Sequence, residues 1–313
     1  MTIETQQALQ KQGFGLAGVA YVLGENLIDI ADQFPQYAPV IEKTGIETVF
    51  RSDLSIVDLA SSAANKLLKT LNCPAETIQC LIVVTQSQEF LLPSVSCMVQ
   101  NTVGLSTSCM AFDINQGCSG FAQAICVAVS MLQQFENVLI VCADKYRNKL
   151  HRGDRSTETL FSDASSASLV VRGEDFHLGS ITSLTDGSGS TLLQQPIGDN
   201  LSMSGADVYV WTRSVVAKQI VQLLQHEAHL GYKSDYLLLH QASKLVVDAI
   251  RSKVPTSVTI PIGYNRFGNT VSSSIPILLA ESYAEITSQN FMIAGFGVGL
   301  SSTALAVRRA SAE

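Results

Sequence analysis

Three residues, well separated in the chain, have types and settings suited to acyl transfer. Cys118 stands in Gln116-Gly-Cys-Ser-Gly-Phe121, with a glycine on each side of a strand-to-helix turn. Such glycines permit a tight turn and close substrate approach, and a helix N-terminus favours thiolate over thiol. His240 ends the apolar run Tyr236-Leu-Leu-Leu239. A histidine placed so can orient a thiolate, donate a hydrogen bond or move a proton near neutral pH. Asn269 follows Phe267-Gly268 and precedes a run of Thr and Ser. A nucleophile with two donors for charge developing on a carbonyl oxygen meets the requirement of acyl transfer. Each residue also has a plainer reading, as a buried apolar thiol, a satisfied core histidine and an ordinary helix N-cap.

The elements that must position these residues read as an α/β architecture with mostly parallel strands. An internal echo organises them. Met110–Asn115 is a predicted strand that turns into a helix over Cys118–Ser130, followed by strands Asn137–Ala143 and Ser166–Val171. In the second half, a strand Ser257–Ile262 leads through Gly268 into a helix Asn269–Ala284, then strands Phe291–Ala294 and Ser302–Val307. The repeat predicts two halves, 1–173 and 174–313, with a seam near Arg172–Phe176. Halves packed side by side would bring the helix N-termini at Cys118 and Asn269 together, with His240 at a strand's carboxyl end nearby.

Composition narrows the function classes. The 313 residues suffice for a large core, and 46% apolar residues against 15% charged ones exclude disorder. A formal charge of −7 and no basic run beyond Arg308-Arg309 argue against a nucleic-acid surface. Apolar runs such as Val138–Ala143 are of strand length, so no membrane span is expected. The polar N-terminus, with Glu4, lacks the apolar stretch of a secretory signal, and a cytoplasmic location is expected. Seven cysteines with no C-x-x-C pair fit reduced thiols better than disulfides or zinc, and no metal ligand set is expected.

Three other motifs do not carry chemistry. Gly295-x-Gly-x-Gly299 lacks the G-x-G-x-x-G spacing and precedes a strand, so it reads as a tight turn near the site. His226-Glu-Ala-His229 is one residue short of H-E-x-x-H and reads as a solvated helix end. Ser188 and Ser190 lie in a turn-forming run without a nucleophile elbow. A papain-like hydrolase shares the chain order Cys, His, Asn, but the residues around Cys118 and the duplicated pattern do not match it.

Gly-Cys-Ser-Gly-Phe at 117–121, His240-Gln-Ala242, Gly268-Asn-Thr270 and Gly295-Phe-Gly-Val-Gly299 together resemble the signature blocks of the β-ketoacyl-ACP synthase III family of the thiolase superfamily. Thr44-Gly-Ile46, Pro93-Ser94 with Gln100, and Asp154-Arg-Ser-Thr157 followed by Leu160-Phe-Ser-Asp163 extend the match in family order over roughly residues 14–308. The resemblance implies a duplicated five-layered αβαβα fold and a homodimer. It implies a reaction without cofactor, on substrates carried as coenzyme A or phosphopantetheine thioesters, with acyl carrier protein as a partner. Cys118 would take an acyl group as a thioester, and His240 and Asn269 would hold a malonyl thioester that decarboxylates to attack it. The backbone N–H groups of Cys118 and Val298 would form the oxyanion hole. Leu92 would close the partner's acyl pocket, and Phe161 and Ala242 would line the substrate path.

Departures from the family pattern bear on substrate. Pro39 stands where the family has an adenine-stacking tryptophan, and Lys43 where it has an arginine, while Arg155 keeps a second arginine. Ala206 replaces an asparagine near the phosphopantetheine arm, and Ser243 and Leu245 replace an asparagine and a carrier-docking arginine. Lys244 and Arg251, with Lys253, offer a replacement basic patch for an acidic carrier protein. These changes point to specialised lipid or polyketide metabolism. Two alternatives remain, transfer of the acyl group to an alcohol or amine and a non-catalytic carrier-binding subunit.

Overall fold

The computed structural model describes residues 12–155 and 157–310. Residues 1–11, on which the reading of an absent secretory stretch rests, lie outside the described residues, as does Ser156 of the 154–157 block. Along the chain run β1 (Gly13–Leu23), the ribbon β2 (Asn26–Asp29) and β3 (Thr48–Arg51) with α1 (Ala38–Thr44) between them, and α2 (Ile56–Leu71). Then follow β4 (Cys80–Val84), α3 (Val95–Val103), β5 (Met110–Ile114), α4 (Gly120–Met131), β6 (Asn137–Asp144) and β7 (Ala164–Arg172). The second half holds β8 (Phe176–Thr185), the short pair β9 (Leu193–Gln194) and β10 (Ser202–Met203), α5 (Gly205–Trp211), α6 (Ala217–His229) and β11 (Tyr236–Leu239). It closes with α7 (Lys244–Arg251), α8 (Ser274–Glu281), β12 (Phe291–Gly297) and β13 (Ser301–Arg309).

Nine strands form one hydrogen-bonded sheet in the order β11-β12-β13-β8-β1-β7-β6-β4-β5. From β1 outward the pairings run antiparallel to β7, antiparallel to β6, parallel to β4 and parallel to β5. From β8 outward they run antiparallel to β13, antiparallel to β12 and parallel to β11. A parallel bridge from Tyr236 to Thr259 completes the second series. The two series repeat each other and join where β1 pairs with β8, at Gly13↔His177 and Phe14↔Phe176.

The sheet is mixed and not mostly parallel, because the buried runs at β7, β8 and β13 announce burial on both faces but not direction. The predicted strand Ser257–Ile262 is reduced to the Thr259 bridge, since Pro255 and Pro261 flank it and a proline has no N–H to give a ladder.

Five layers follow from the packing. α2 covers β1, β6 and β7, and α3 covers β4 and β5. α2 is built for one-sided burial: Ser55 caps it by accepting from the Asp58 N–H at 3.0 Å, and Ile56, Leu59, Ala60, Ala63, Ala64 and Leu67 face inward. α6 covers β8 and β13 on the opposite side. Between the sheet halves lie α4, against β4, β6, β7, β12 and β13, and α8, against β1, β7 and β11. Both middle helices are apolar nearly all round, as burial on every side demands. Their N-termini carry the segments of Cys118 and Asn269. No helix of the described residues is long and apolar enough to cross a membrane.

Candidate active site

Cys118 sits in a short 3-10 turn, Gly117–Ser119, between β5 and α4. Gly117 has φ +46°, a left-handed conformation that favours glycine. At Gly120 a Cβ would fall 2.4 Å from Val84 Cγ1, so its absence lets α4 lie close on β4. β12 then passes against the turn. A Cβ at Gly295 would meet the Cys118 carbonyl oxygen at 2.7 Å, and one at Gly297 the Cys118 Sγ at 3.2 Å. Gly295 and Gly297 are two apart on one strand face, which explains their spacing: both must be bare for the strand to touch the nucleophile. The Ser119 and Ser301 hydroxyls share a hydrogen bond of 2.8 Å, and Ser301 Oγ donates to the Val298 carbonyl at 2.6 Å. The nucleophile turn and the β12–β13 turn bearing Val298 are thereby tied together.

His240 follows β11, and its N–H donates to the Ala294 carbonyl at 3.0 Å. Its ring stands edge-on to Phe296, with centroids 5.6 Å apart. The next residue, Gln241, is buried and fixes the loop by accepting from the Gly263 N–H at 2.9 Å and donating to the Leu239 carbonyl at 2.9 Å. Asn269 donates its N–H to the Leu160 carbonyl and accepts at its own carbonyl from the Ser162 N–H, both at 2.9 Å. Its Oδ1 accepts from the Val271 N–H at 3.0 Å, an Asx turn and not a cap on α8. That bond leaves the Nδ2 hydrogens as what the side chain can offer a ligand.

Val271 ties the two donors together. It has φ +52°, uncommon for a β-branched residue, and such strain persists where surrounding bonds over-determine it. Its N–H holds Asn269, and its carbonyl accepts from Ser274 Oγ at 3.0 Å. Ser274 Oγ in turn lies 2.7 Å from His240 Nδ1.

Cys118, His240 and Asn269 line one cavity of about 270 Å³ together with Lys43, Phe161 and Ala242. The three are 6%, 2% and 3% exposed. Burial sets the protonation states. It pushes the Cys118 thiol well up, with Asp144 adding to the effect, and it pulls the His240 pKa down to about 3. The expected resting thiolate is therefore corrected to a thiol beside a neutral imidazole: desolvation outweighs the helix terminus.

Leu92 is 85% exposed and lies outside this cavity. Arg155 is exposed and also outside it. Ala206 is exposed on the first turn of α5, while Gly205, Val208, Tyr209 and Thr212 of the same stretch line the wall. Lys244 and Arg251 both pair with Asp248, at 3.3 and 3.4 Å, so part of the basic patch is neutralised within α7. Leu245 lines the cavity mouth. Val208, Tyr209 and Thr212 were missed from sequence because their run carries no chemical signature, and Met203 and Phe296 because the reading of their motifs went to Ala206 and to the glycines. Away from the site, the reading of 226–229 as a solvated end holds for the exposed His226 and His229 but not for Glu227. That residue is 1% exposed and accepts from Arg308 at 2.8 and 2.9 Å.

Two models of 3-oxoacyl-[acyl-carrier-protein] synthase III match this chain, one at residues 112–196 and a C-terminal one at 231–309. A β-ketoacyl-[acyl-carrier-protein] synthase III of Streptococcus uberis is 32% identical over 293 residues, covering 86% of this chain and 90% of its own. One from Clostridioides difficile is 28% identical over 300 residues, covering 88% and 89%. Among solved structures, the 3-oxoacyl-[acyl-carrier-protein] synthase III of Aquifex aeolicus superposes with a TM-score of 0.84 at 26% identity, over 95% of this chain and 100% of its own. With the duplicated sheet and the Cys118, His240 and Asn269 cavity, these matches show that the chain belongs to the β-ketoacyl-[acyl-carrier-protein] synthase III family, a divergent member with the thiolase-like fold.

Proposed function

We propose that this chain is a decarboxylative condensing enzyme that works in two steps through Cys118. The carrying observation is the convergence of Cys118, His240 and Asn269 in one cavity, with Asn269 held so that Nδ2 is its free end. In the first step Sγ attacks an acyl thioester carbonyl, its proton passes to His240, and the carrier thiol leaves with that proton. The backbone N–H groups of Cys118 and Val298 face the oxyanion. In the second step a malonyl thioester loses its carboxylate as carbon dioxide. The resulting enolate oxygen is held by His240 and Asn269, and its carbon attacks the Cys118 thioester, releasing Sγ as a thiolate that takes a proton from water to return to the thiol. Decarboxylation itself supplies the carbanion, so this chemistry calls for no cofactor.

A neutral His240 must serve both steps. Loading needs a lone pair on Nε2, whereas enolate stabilisation needs Nε2–H. The Ser274 hydroxyl reaches either the Val271 carbonyl or His240 Nδ1. When it donates to Val271, Nδ1–H donates to Ser274 and Nε2 is a base. When it donates to Nδ1, Nε2–H is a donor. The Ser274 hydroxyl can thus turn to suit either neutral tautomer, and the ring is charged only while it carries the Cys118 proton to the carrier thiol.

The exposed apolar run Phe90, Leu91 and Leu92, at 57%, 75% and 85%, supports a homodimer in which this segment is covered by the partner. Pro39, Lys43 and the paired Lys244 and Arg251 support a specialised role with an acyl donor on coenzyme A or a carrier protein. Carbon dioxide release from a carboxyl-labelled malonyl thioester tests the reading. Release that depends on an acylated Cys118, with a β-ketoacyl product, is expected. Discharge to an alcohol or amine without carbon dioxide would replace condensation by acyl transfer.

A further inference from the structure

A second cavity, of about 600 Å³, lies beside the one that Cys118 lines. Leu193 lines both cavities, and Gly297 of the first is followed in the chain by Val298 and Gly299 of the second. An acyl group on Sγ would enter this space past Leu193 and the β12–β13 turn. A pocket for a plain alkyl chain is apolar. This one is lined by Gln86, Asn115, Tyr146, Lys149, Gln194 and Gln195, with Phe90, Leu91 and Ile197 toward its outer side.

The polar set begins beside Cys118. Gln86 Oε1 would lie 2.2 Å from a Cβ on Gly117, so the amide rests on the residue before the nucleophile. The Tyr146 hydroxyl donates to that oxygen at 3.1 Å, which leaves the amide Nε2 hydrogens available. Lys149 Nζ donates to the Gln86 carbonyl and sits 5.4 Å from the Tyr146 ring centroid. Asp144 lies beneath and does not line the cavity; its oxygens accept from the Gln86 and Ser272 N–H groups and from the Ser87 and Ser272 hydroxyls. Glu89, also in the lining, accepts from the Ile56 N–H at 3.1 Å. Among the described residues Lys149 makes no ion pair within 4 Å, although the buried Asp144 carboxylate acts on its charge from beneath. An alkyl chain filling this space would strip water from the ammonium and the Gln86 amide and return nothing, whereas an acceptor oxygen would pair with them.

We propose that this cavity receives the Cys118-bound acyl group and selects one carrying an acceptor oxygen, as hydroxyl, oxo or carboxylate, beyond the thioester carbonyl, with Lys149 as the specificity residue. This rests on the acyl-enzyme reading above. The test is the rate of Cys118 mass gain from pantetheine thioesters of butyrate, 3-hydroxybutyrate, acetoacetate and succinate, in wild type, Lys149→Met and Lys149→Arg. At least one oxygenated group should load about tenfold faster than butyryl in wild type, and the fastest of the three identifies the oxygen recognised. Lys149→Met should abolish that preference while still loading butyryl, and Lys149→Arg should keep much of it. Lys149→Gln repeats the readout if the Met variant does not fold. Equal loading of all four by wild type, or an unchanged ratio in the uncharged variant, overturns the proposal and leaves the acyl-enzyme reading standing. Loading of none overturns both.

Discussion

Replacing Ser274 by alanine should separate the two half-reactions. The hydroxyl is within 2.7 Å of His240 Nδ1 and 3.0 Å of the Val271 carbonyl, and the Gln241 N–H approaches it at 3.4 Å. Without it, the hydroxyl that can donate to Nδ1 is gone, and the tautomer that carries its hydrogen on Nε2 loses that partner. Nδ1 then keeps its proton, and Nε2 turns a lone pair toward the enolate. Loading, which needs that lone pair, is spared. Condensation loses one of two donors to a developing charge, a loss of about 1–3 kcal/mol, or roughly fivefold to 150-fold in rate. Single-turnover kinetics measure both steps on one protein, as Cys118 mass gain from an acyl thioester and then carbon dioxide release on adding a malonyl thioester. Ser274→Thr, which keeps a hydroxyl, should restore part of the second rate. An equal fall in both steps, or no change in either, would refute the tautomer argument.

Gly297→Ala would place a methyl 2.9 Å from Cys118 Cβ and 3.2 Å from its Sγ, so loading should fall by at least about tenfold, at a stability cost of about 1–3 kcal/mol from overpacking. His240 takes a proton in the folded chain only near pH 3, but near 6.5 when unfolded. The unfolded state therefore binds more protons between these values, and stability should fall as pH drops through that window, by up to about 1.4 kcal/mol per pH unit. His240→Gln should flatten that part of the curve, measured by urea unfolding from pH 7 to 4. Arg308→Met would leave Glu227, 1% exposed, as an unpaired buried carboxylate and should cost about 3–5 kcal/mol in the same assay, with Cys118 loading at 25 °C retained in the folded fraction.

What the sequence disclosed was local. Glycines at 117 and 120, a histidine ending an apolar strand and an asparagine after Gly268 each need only their neighbours to be read, and the fold brings them together. The repeated order of strand and helix was legible for the same reason. Strand direction was not, because an apolar run is equally suited to either pairing when both faces are buried. The cavity walls were hidden too: Val208, Tyr209 and Thr212 are ordinary helix residues until α5 is laid across the cavity, and Lys149 is an ordinary loop lysine until Gln86 and Tyr146 enclose it. The thiolate expectation failed because a helix N-terminus is visible in sequence, whereas the depth at which Cys118 is buried is a property of both halves together.

Two-step condensation through Cys118 is tested most directly by intact-protein mass spectrometry of wild type and Cys118→Ala after incubation with acyl-coenzyme A and acyl-carrier thioesters, followed by a malonyl-thioester chase. One acyl adduct is expected on wild type, none on the alanine variant, and loss of the adduct as a β-ketoacyl product when the malonyl thioester is added. An adduct that persists through the chase, or that forms equally on Cys118→Ala, would contradict it.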